Sequence, residues 1–354
     1  MTLPGPVHDA FVQQAKACRA LDSPFTGHLC ERLAVLLGSG TALGRAVAGW
    51  PIDPVESALA LRLCGALHMM VRTGRAPELE RLYPPVSDLG PALDAALRAV
   101  IAEHGVALLA LLESAPQTNE VARSAVLIGG LLTIAHETGL PLALNEIGSS
   151  AGLNLHPDCY VYKLGNGRRW GPPDAPLTIA CDWRGAAPPL DAPLEIAARA
   201  GADLAPVDAA DVAARERVLA YIWPDQIARL ARTAAAMAHA AAHPVALDRA
   251  EAADWAEARL AAAAEPGIVR VLMHSITWQY FPRATQDRIT AALTAAGAIA
   301  TPDTPLAWLR LEPDDIQGSA AILLTLWTGD PADGTTRALG RGDYHGRFAD
   351  WSGR

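Results

Sequence analysis

Apolar residues recur at three- and four-residue intervals through HLCERLAVLLGSG, SALALRLCGALHMMVRTG and ALDAALRAVIAEHGVALLALLES, with Pro and Gly between the runs. That period predicts amphipathic helices, and no strand pattern precedes residue 140. From there short apolar runs alternate with helical stretches. PLALNEI (141–147), EIAARAGADLAP (195–206), PVALDR (244–249), GIVRVLMHS (267–275), PLAWLRLEP (305–313) and AAILLTLWTG (320–329) read as strands, with GRFADW (346–351) a candidate seventh. ARERVLAYIW, DQIARLARTAAAMAHAAA and ATQDRITAALTAAG read as the helices between them. Strand alternating with helix predicts an α/β protein with a largely parallel sheet covered on both faces. The run YVYKLGNGRRWG, followed by LTIACDWRG, interrupts this rhythm, and Asn-Gly between alternating runs is a hairpin signal. A β-meander of two or three strands is therefore expected as an insert at about 158–190. The reading is an all-helical region over 1–135 followed by an α/β domain over 136–354.

Length and composition add limits. A chain of 354 residues can enclose a pocket, and an apolar share of 51% rules out a disordered chain. The net charge of −9, without any block of Lys or Arg, excludes nucleic acid as an expected partner. The opening MTLPGPVHDAF lacks a basic stretch before an apolar one, and the apolar run SAVLIGGLLTIA (124–135) is too short to span a bilayer. A cytoplasmic protein without a membrane partner is the expectation. Five cysteines without a C-x-x-C predict reduced thiols. His156, Asp158 and Cys159 in HPDCY are metal-capable, but nothing nearby completes a site, so a turn and no metal are expected there.

The stretch LALNEIGSSAGLNL (142–155) supports two chemistries. As G-x-S-x-G it is a nucleophile elbow with Ser150 attacking, His345 available as the late histidine and several aspartates as the acid. That elbow needs earlier sheet strands, whereas the sequence before it is helical. As a strand ending in Glu146 and a turn carrying Gly148, Ser149, Ser150 and Gly152, it is a nucleotide-binding loop. This second reading expects an acid closing the next strand, which Asp203 supplies for ribose hydroxyls, and a following helix whose N-terminus offers free N–H groups. Ser150 and Leu153 occupy the second and third glycine positions of the dinucleotide fingerprint, which disfavours a pyrophosphate ligand.

The acid two positions before the first glycine resembles the E/D-x-G-x-G-x-G motif of class I S-adenosylmethionine-dependent methyltransferases. The resemblance continues through GADLAP (201–206), RAEAADW (249–255) and VLMHSITWQYF (271–281), covering 141–329. At whole-chain level TNEVARSAVL, EIGSSAGLNL, GADLAPVD and YIWPDQIARL resemble a bacterial domain-of-unknown-function (DUF) family with a methyltransferase-like core. The resemblance implies a Rossmann-like methyltransferase-type sheet and S-adenosylmethionine as cofactor. It places Glu146, Gly148, Ser149, Ser150 and Gly152 at the donor's amino-acid end, Asp203 at its ribose and Glu251 near its adenine, with Asp248 the poorer match.

His274, at the carboxyl end of a central strand, is the candidate general base. Trp278 and Tyr280 are candidates for the wall of an acceptor pocket. In TNEVAR, Thr118 or Asn119 would cap the next helix with Glu120 in its first turn, while Arg123 would pair with Glu120 or reach a ligand carboxylate. Methylation of a small molecule is the expected function. A non-catalytic sensor of S-adenosylmethionine or another adenosyl metabolite is the alternative, with a serine hydrolase ranked below both. No heptad or interface pattern specifies an oligomer.

Overall fold

A computed structural model describes residues 3–85, 90–330 and 333–353. Met1 and Thr2, the start of the stretch read for a leader, lie outside them. The first six helices are α1 (Gly5–Ala20), α2 (Pro24–Leu36), α3 (Ala42–Ala48), α4 (Leu59–Arg72), α5 (Pro77–Glu80) and α6 (Gly90–Leu112). Their apolar stripes meet in one core around Phe11, Leu29, Leu33, Leu63, Leu67 and Leu97. Among the described residues α6, of 23 residues, is long and apolar enough by length and composition to cross a bilayer, which the run at 124–135 is not. Within its unit it buries Leu93, Leu97, Val100 and Leu108, and its Asp94 accepts two bonds from Arg32.

The chain then runs through a 3-10 turn at Val121–Arg123 into α7 (Ser124–Thr138), most of which falls within 1–135 yet which belongs to the sheet unit. Its run VLIGGLLTIA is apolar all round, as suits a helix with no solvent face, and Gly139 in the left-handed region ends it. Gly129 and Gly130 let it lie close on the sheet. A Cβ on Gly129 would sit 2.4 Å from Trp183, and one on Gly130 2.4 Å from Leu309.

After α7 come β1 (Leu142–Ile147), two 3-10 turns at Leu153–Leu155 and Pro157–Cys159, and the insert strands β2 (Val161–Lys163), β3 (Arg169–Trp170), β4 (Thr178–Ala180) and β5 (Asp182–Gly185). The Asn-Gly hairpin is present: β2 and β3 pair antiparallel, with Tyr162 opposite Trp170. The third strand departs from a meander because β4 runs parallel to β2. β5 leaves the small sheet and becomes an edge of the large one, where the Trp183 indole donates to Ala125 O at 3.0 Å.

β6 (Ile196–Asp203) follows, then α8 (Val212–Ala220), α9 (Ile227–Ala242), β7 (Ala246–Arg249), α10 (Ala252–Ala261), β8 (Val269–Ser275), α11 (Arg283–Gly297), β9 (Leu306–Pro313), β10 (Ala320–Trp327), β11 (Thr336–Gly342) and β12 (Phe348–Trp351). The compact units are 1–118 with 211–234, and 119–210 with 235–354, so the boundary near 135 read from the sequence moves and the later segment returns to the helical core. Its anchors there are specific. Ala220 O lies 3.0 Å from His68 Nδ1, Arg72 donates to Glu216, and the Asp225 carboxylate accepts from Ser23 Oγ and Phe25 N.

The large sheet has the order β5-β12-β11-β10-β9-β8-β1-β6-β7. The run β9-β8-β1-β6-β7 is parallel, the pairs β9·β10, β10·β11 and β11·β12 are antiparallel, and β5 runs parallel to β12. The architecture is thus α/β with a large mixed sheet. Strand order reverses on either side of β1, which lies between β6 and β8, and open sheets of this kind offer a crevice at the carboxyl ends of such strands.

Candidate functional site

The loop after β1 is tightly wound. Gly148 (φ +69°), Ser150 (φ +51°) and Gly152 (φ +68°) all lie in the left-handed region. The N–H groups of Gly148 and Ser149 both donate to Ala202 O on β6, and Ser149 O accepts from Gly152 N. The neighbouring loop after β8 holds Ile276 at φ +51°. Two non-glycine residues in this conformation, one of them β-branched, stand at adjacent strand ends where the topology switches. Strain of roughly 1–3 kcal/mol each persists where the surroundings enforce it, and functional sites are where it gathers.

Gly148 is needed for a second reason: a Cβ there would meet Thr277 Oγ1 at 2.4 Å. Gly148→Ala is expected to lose about 2 kcal/mol from conformation and crowding together. Urea unfolding reads this, and an unchanged midpoint would show that the loop relaxes freely.

Glu146 sits under the loop, 2% exposed, with Oε2 lacking a hydrogen-bond partner. Burial pushes its carboxyl up to about 8, Asn154 and Arg123 partly oppose this, and nearby Asp203 adds to it. Asn154 is held by Ser124, whose Oγ donates to Asn154 Oδ1 at 2.7 Å. Asp203, at the end of β6, accepts from Ser150 N at 2.9 Å and from Ala205 N at 2.8 Å, so it closes the loop before it meets any ligand. Beside the loop opens a cavity of about 310 Å³, lined by Ala151, Pro206, Val207, Asp208, Ala240 and Leu247.

TNEVAR reaches this place from the other side. Asn119 Oδ1 accepts from Leu153 N at 2.9 Å, so it caps the end of the glycine loop and not the helix that follows it in sequence. Glu120, 1% exposed, caps the 3-10 turn through Ala122 N and lies 3.9 Å from His345 Nδ1. Arg123 donates to Tyr344 O and to Ser275 O at the end of β8. Asn119, Glu120, Arg123, Glu146, Ser150 and Asp203 therefore converge, together with Ser124, Asn154, Ser275 and the 343–347 loop, which motif reading did not select for this place. Asn154 was visible inside GLNL, but nothing in a sequence marks an amide as buried beside a carboxyl.

The remaining candidates lie elsewhere. The expected helix after the glycine loop is absent; the 3-10 turn at Leu153–Leu155 takes its place, so the following segment offers the loop no helix N-terminus. Glu251 caps α10, its Oε2 accepting from Ala253 N and Asp254 N and its Oε1 from Thr285 Oγ1, so its oxygens are already engaged in holding α10 and α11. His274 lies on the same face of β8 as Leu272, whose core includes Trp308 and Ile147, and this face is opposite to that of Glu146.

His274 is fully buried. Its Nε2 accepts from the Trp308 indole N–H at 3.1 Å, so Nδ1 carries the proton and donates to Glu312 Oε1 at 2.6 Å. Both nitrogens are engaged, a geometry suited to holding strand ends and not to taking a substrate proton. Trp278 stacks on that ring at 4.9 Å and is half-buried, while Tyr280 is 74% exposed. Ser150 Oγ has no hydrogen-bond partner, so no histidine activates it.

HPDCY does form a turn, at Pro157–Cys159, and α9 brings a third metal-capable side chain, His239, to His156 and Cys159, a residue too distant in sequence for spacing to reveal.

The fold and this site define an α/β protein with a strained glycine loop and a buried carboxyl at the switch point of its sheet. Residues 8–351 match the model of a family described as "Uncharacterized protein conserved in bacteria (DUF2332)", and the chain belongs to that family. Searches among curated proteins and among solved structures found no match.

Proposed function

We propose that the sheet unit is a Rossmann-like methyltransferase-type domain that binds S-adenosylmethionine across the carboxyl ends of β1 and β6 and methylates a small molecule. The observation that carries the reading is the meeting, at the switch point, of a glycine loop with Glu146 beneath it and Asp203 beside it. In this reading Glu146 answers the positive charge of the donor's amino-acid end, and Asp203 turns its remaining lone pairs to the ribose. Methyl transfer from a sulfonium is an in-line displacement, so alignment and exclusion of water carry most of the catalysis. The engagement of both His274 nitrogens favours, as a second reading, a protein that binds the adenosyl metabolite as a sensor without turnover. A cytoplasmic location and the absence of nucleic acid or membrane partners belong to the same proposal.

Calorimetric titration with S-adenosylmethionine and S-adenosylhomocysteine tests it, using Asp203→Asn because Asn retains an acceptor for the loop N–H. Wild type is expected to bind both, and the variant to bind at least about tenfold more weakly through loss of charged hydrogen bonds. Absence of binding by folded wild type freed of carried-over ligand would end the proposal. Binding without methylation of any acceptor class tried would select the sensor.

A further inference from the structure

The segment after the glycine loop covers part of the sheet without a regular helix, and a cluster of metal-capable side chains joins it to α9. We propose that His156, Cys159 and His239 bind one divalent transition metal ion, zinc being the best match, with water as fourth ligand. The ligand atoms of the three residues all lie within 4.8 Å of one another. His156 is 2% exposed, and neither its Nε2 nor the buried Nε2 of His239 has a hydrogen-bond partner. Two buried ring nitrogens without a partner among the described residues are costly, and an ion that takes both would offset that cost.

The local structure explains how the donors converge. Pro157–Cys159 is a 3-10 turn with His156 at its N-cap, and in such a turn residues three apart stack on one side. Cys159 N donates to His156 O at 3.1 Å, which closes the turn. Asp158, whose Oδ1 also accepts from Cys159 Sγ at 3.8 Å, is held by Arg199, which donates to both of its oxygens at 2.9 and 2.7 Å and also to Leu155 O. That pair orients the ligand-bearing turn from outside. His239 is fixed in turn by His243, whose ring stacks on it at 4.3 Å while its Nδ1 lies 3.1 Å from His239 O.

Imidazole nitrogens with one thiolate are a donor set for zinc, at about 2.0–2.1 Å for nitrogen and about 2.3 Å for sulfur. Tetrahedral geometry then puts neighbouring donors roughly 3.3–3.8 Å apart, so the set draws in by about 1 Å as the ion enters. The Cys159 thiol passes its proton to solvent, its sulfur lone pair forms the bond to the metal, and the two rings bind as neutral donors without change of oxidation state. The ion would fasten the irregular segment to α9 where a helix would otherwise pack. Such a site stands or falls independently of the methyltransferase reading.

The test uses the full chain, stripped with a chelator and titrated with Co²⁺ and then Zn²⁺. One Co²⁺ per chain is expected, with the ligand-field bands of a tetrahedral ion and a thiolate-to-cobalt charge-transfer band, both erased by Zn²⁺. Cys159→Ser, at a half-buried position and expected to stay folded, should lose the charge-transfer band. His239→Gln should weaken binding at least about tenfold. Absence of stoichiometric binding, or a spectrum unchanged by Cys159→Ser, overturns the site even if His239→Gln proves too unstable to measure.

Discussion

Replacing Glu146 by Gln is expected to make the folded protein more stable at pH 8 than wild type while leaving the two alike near pH 4. In the unfolded chain this carboxyl titrates near 4.5, and in the fold burial raises it to about 8. Between those values the folded state keeps a proton that the unfolded state has released. The contribution is therefore fully present below the unfolded value and is lost as pH rises through the folded one. Each pH unit between the two values is worth about 1.4 kcal/mol, so wild type should lose roughly 3–5 kcal/mol across the window and Glu146→Gln should not. Urea unfolding at several pH values measures this, and parallel curves for the two proteins would show that Glu146 is not the titrating group.

A carboxyl that costs stability wherever it ionises is a candidate for function, because a ligand cation can supply what the fold withholds. Under the proposed function, S-adenosylmethionine binding at pH 7 should expel about one proton from Glu146. Calorimetry in two buffers of different ionisation enthalpy reads that number directly. Glu146→Gln should abolish it, and proton release that persists in the variant would move the ligand's positive charge to another partner.

How much of this was legible in the sequence depended on the range of the interaction involved. The strands β1 and β6 to β10, the Asn-Gly hairpin and the run of N-terminal helices follow from local periodicity, which a single chain displays, whereas the split of LTIACDWRG between two sheets does not. β11 was missed because TRALGRG has a weak apolar alternation, with Arg337, Arg341 and two glycines among seven residues. The return of 211–234 to the helical core was missed for another reason: periodicity shows that a helix has an apolar face, and the core receiving that face depends on packing far along the chain. The site divides in the same way. Glu146, Gly148 and Asp203 were found because loop and strand-end positions are fixed by local pattern, whereas the roles of Asn119, Asn154 and His239 depend on contacts 34 residues away or more, or on burial.

The sharpest separation between motif and geometry lies at His274, where substitution by Ala is expected to cost roughly 3–5 kcal/mol of stability. The substitution empties a fully buried ring position, leaves the Glu312 carboxyl without its 2.6 Å partner and leaves the Trp308 indole N–H without an acceptor. Glu312 also accepts from Thr277 N through both oxygens, so the loop after β8 loosens with it. Stability alone would not exclude a base, but His274→Asn can. Its side-chain amide can donate to Glu312 as the ring Nδ1 does, yet it cannot carry a proton at catalytic pH. As a positioning residue, His274 should tolerate Asn with partial recovery of stability and, if the enzyme reading holds, with most of kcat and an unshifted pH profile. A folded Asn variant with kcat lost and the acidic limb of its pH profile removed would restore His274 as the proton acceptor. It would also require that the pair with Trp308 open when substrate binds.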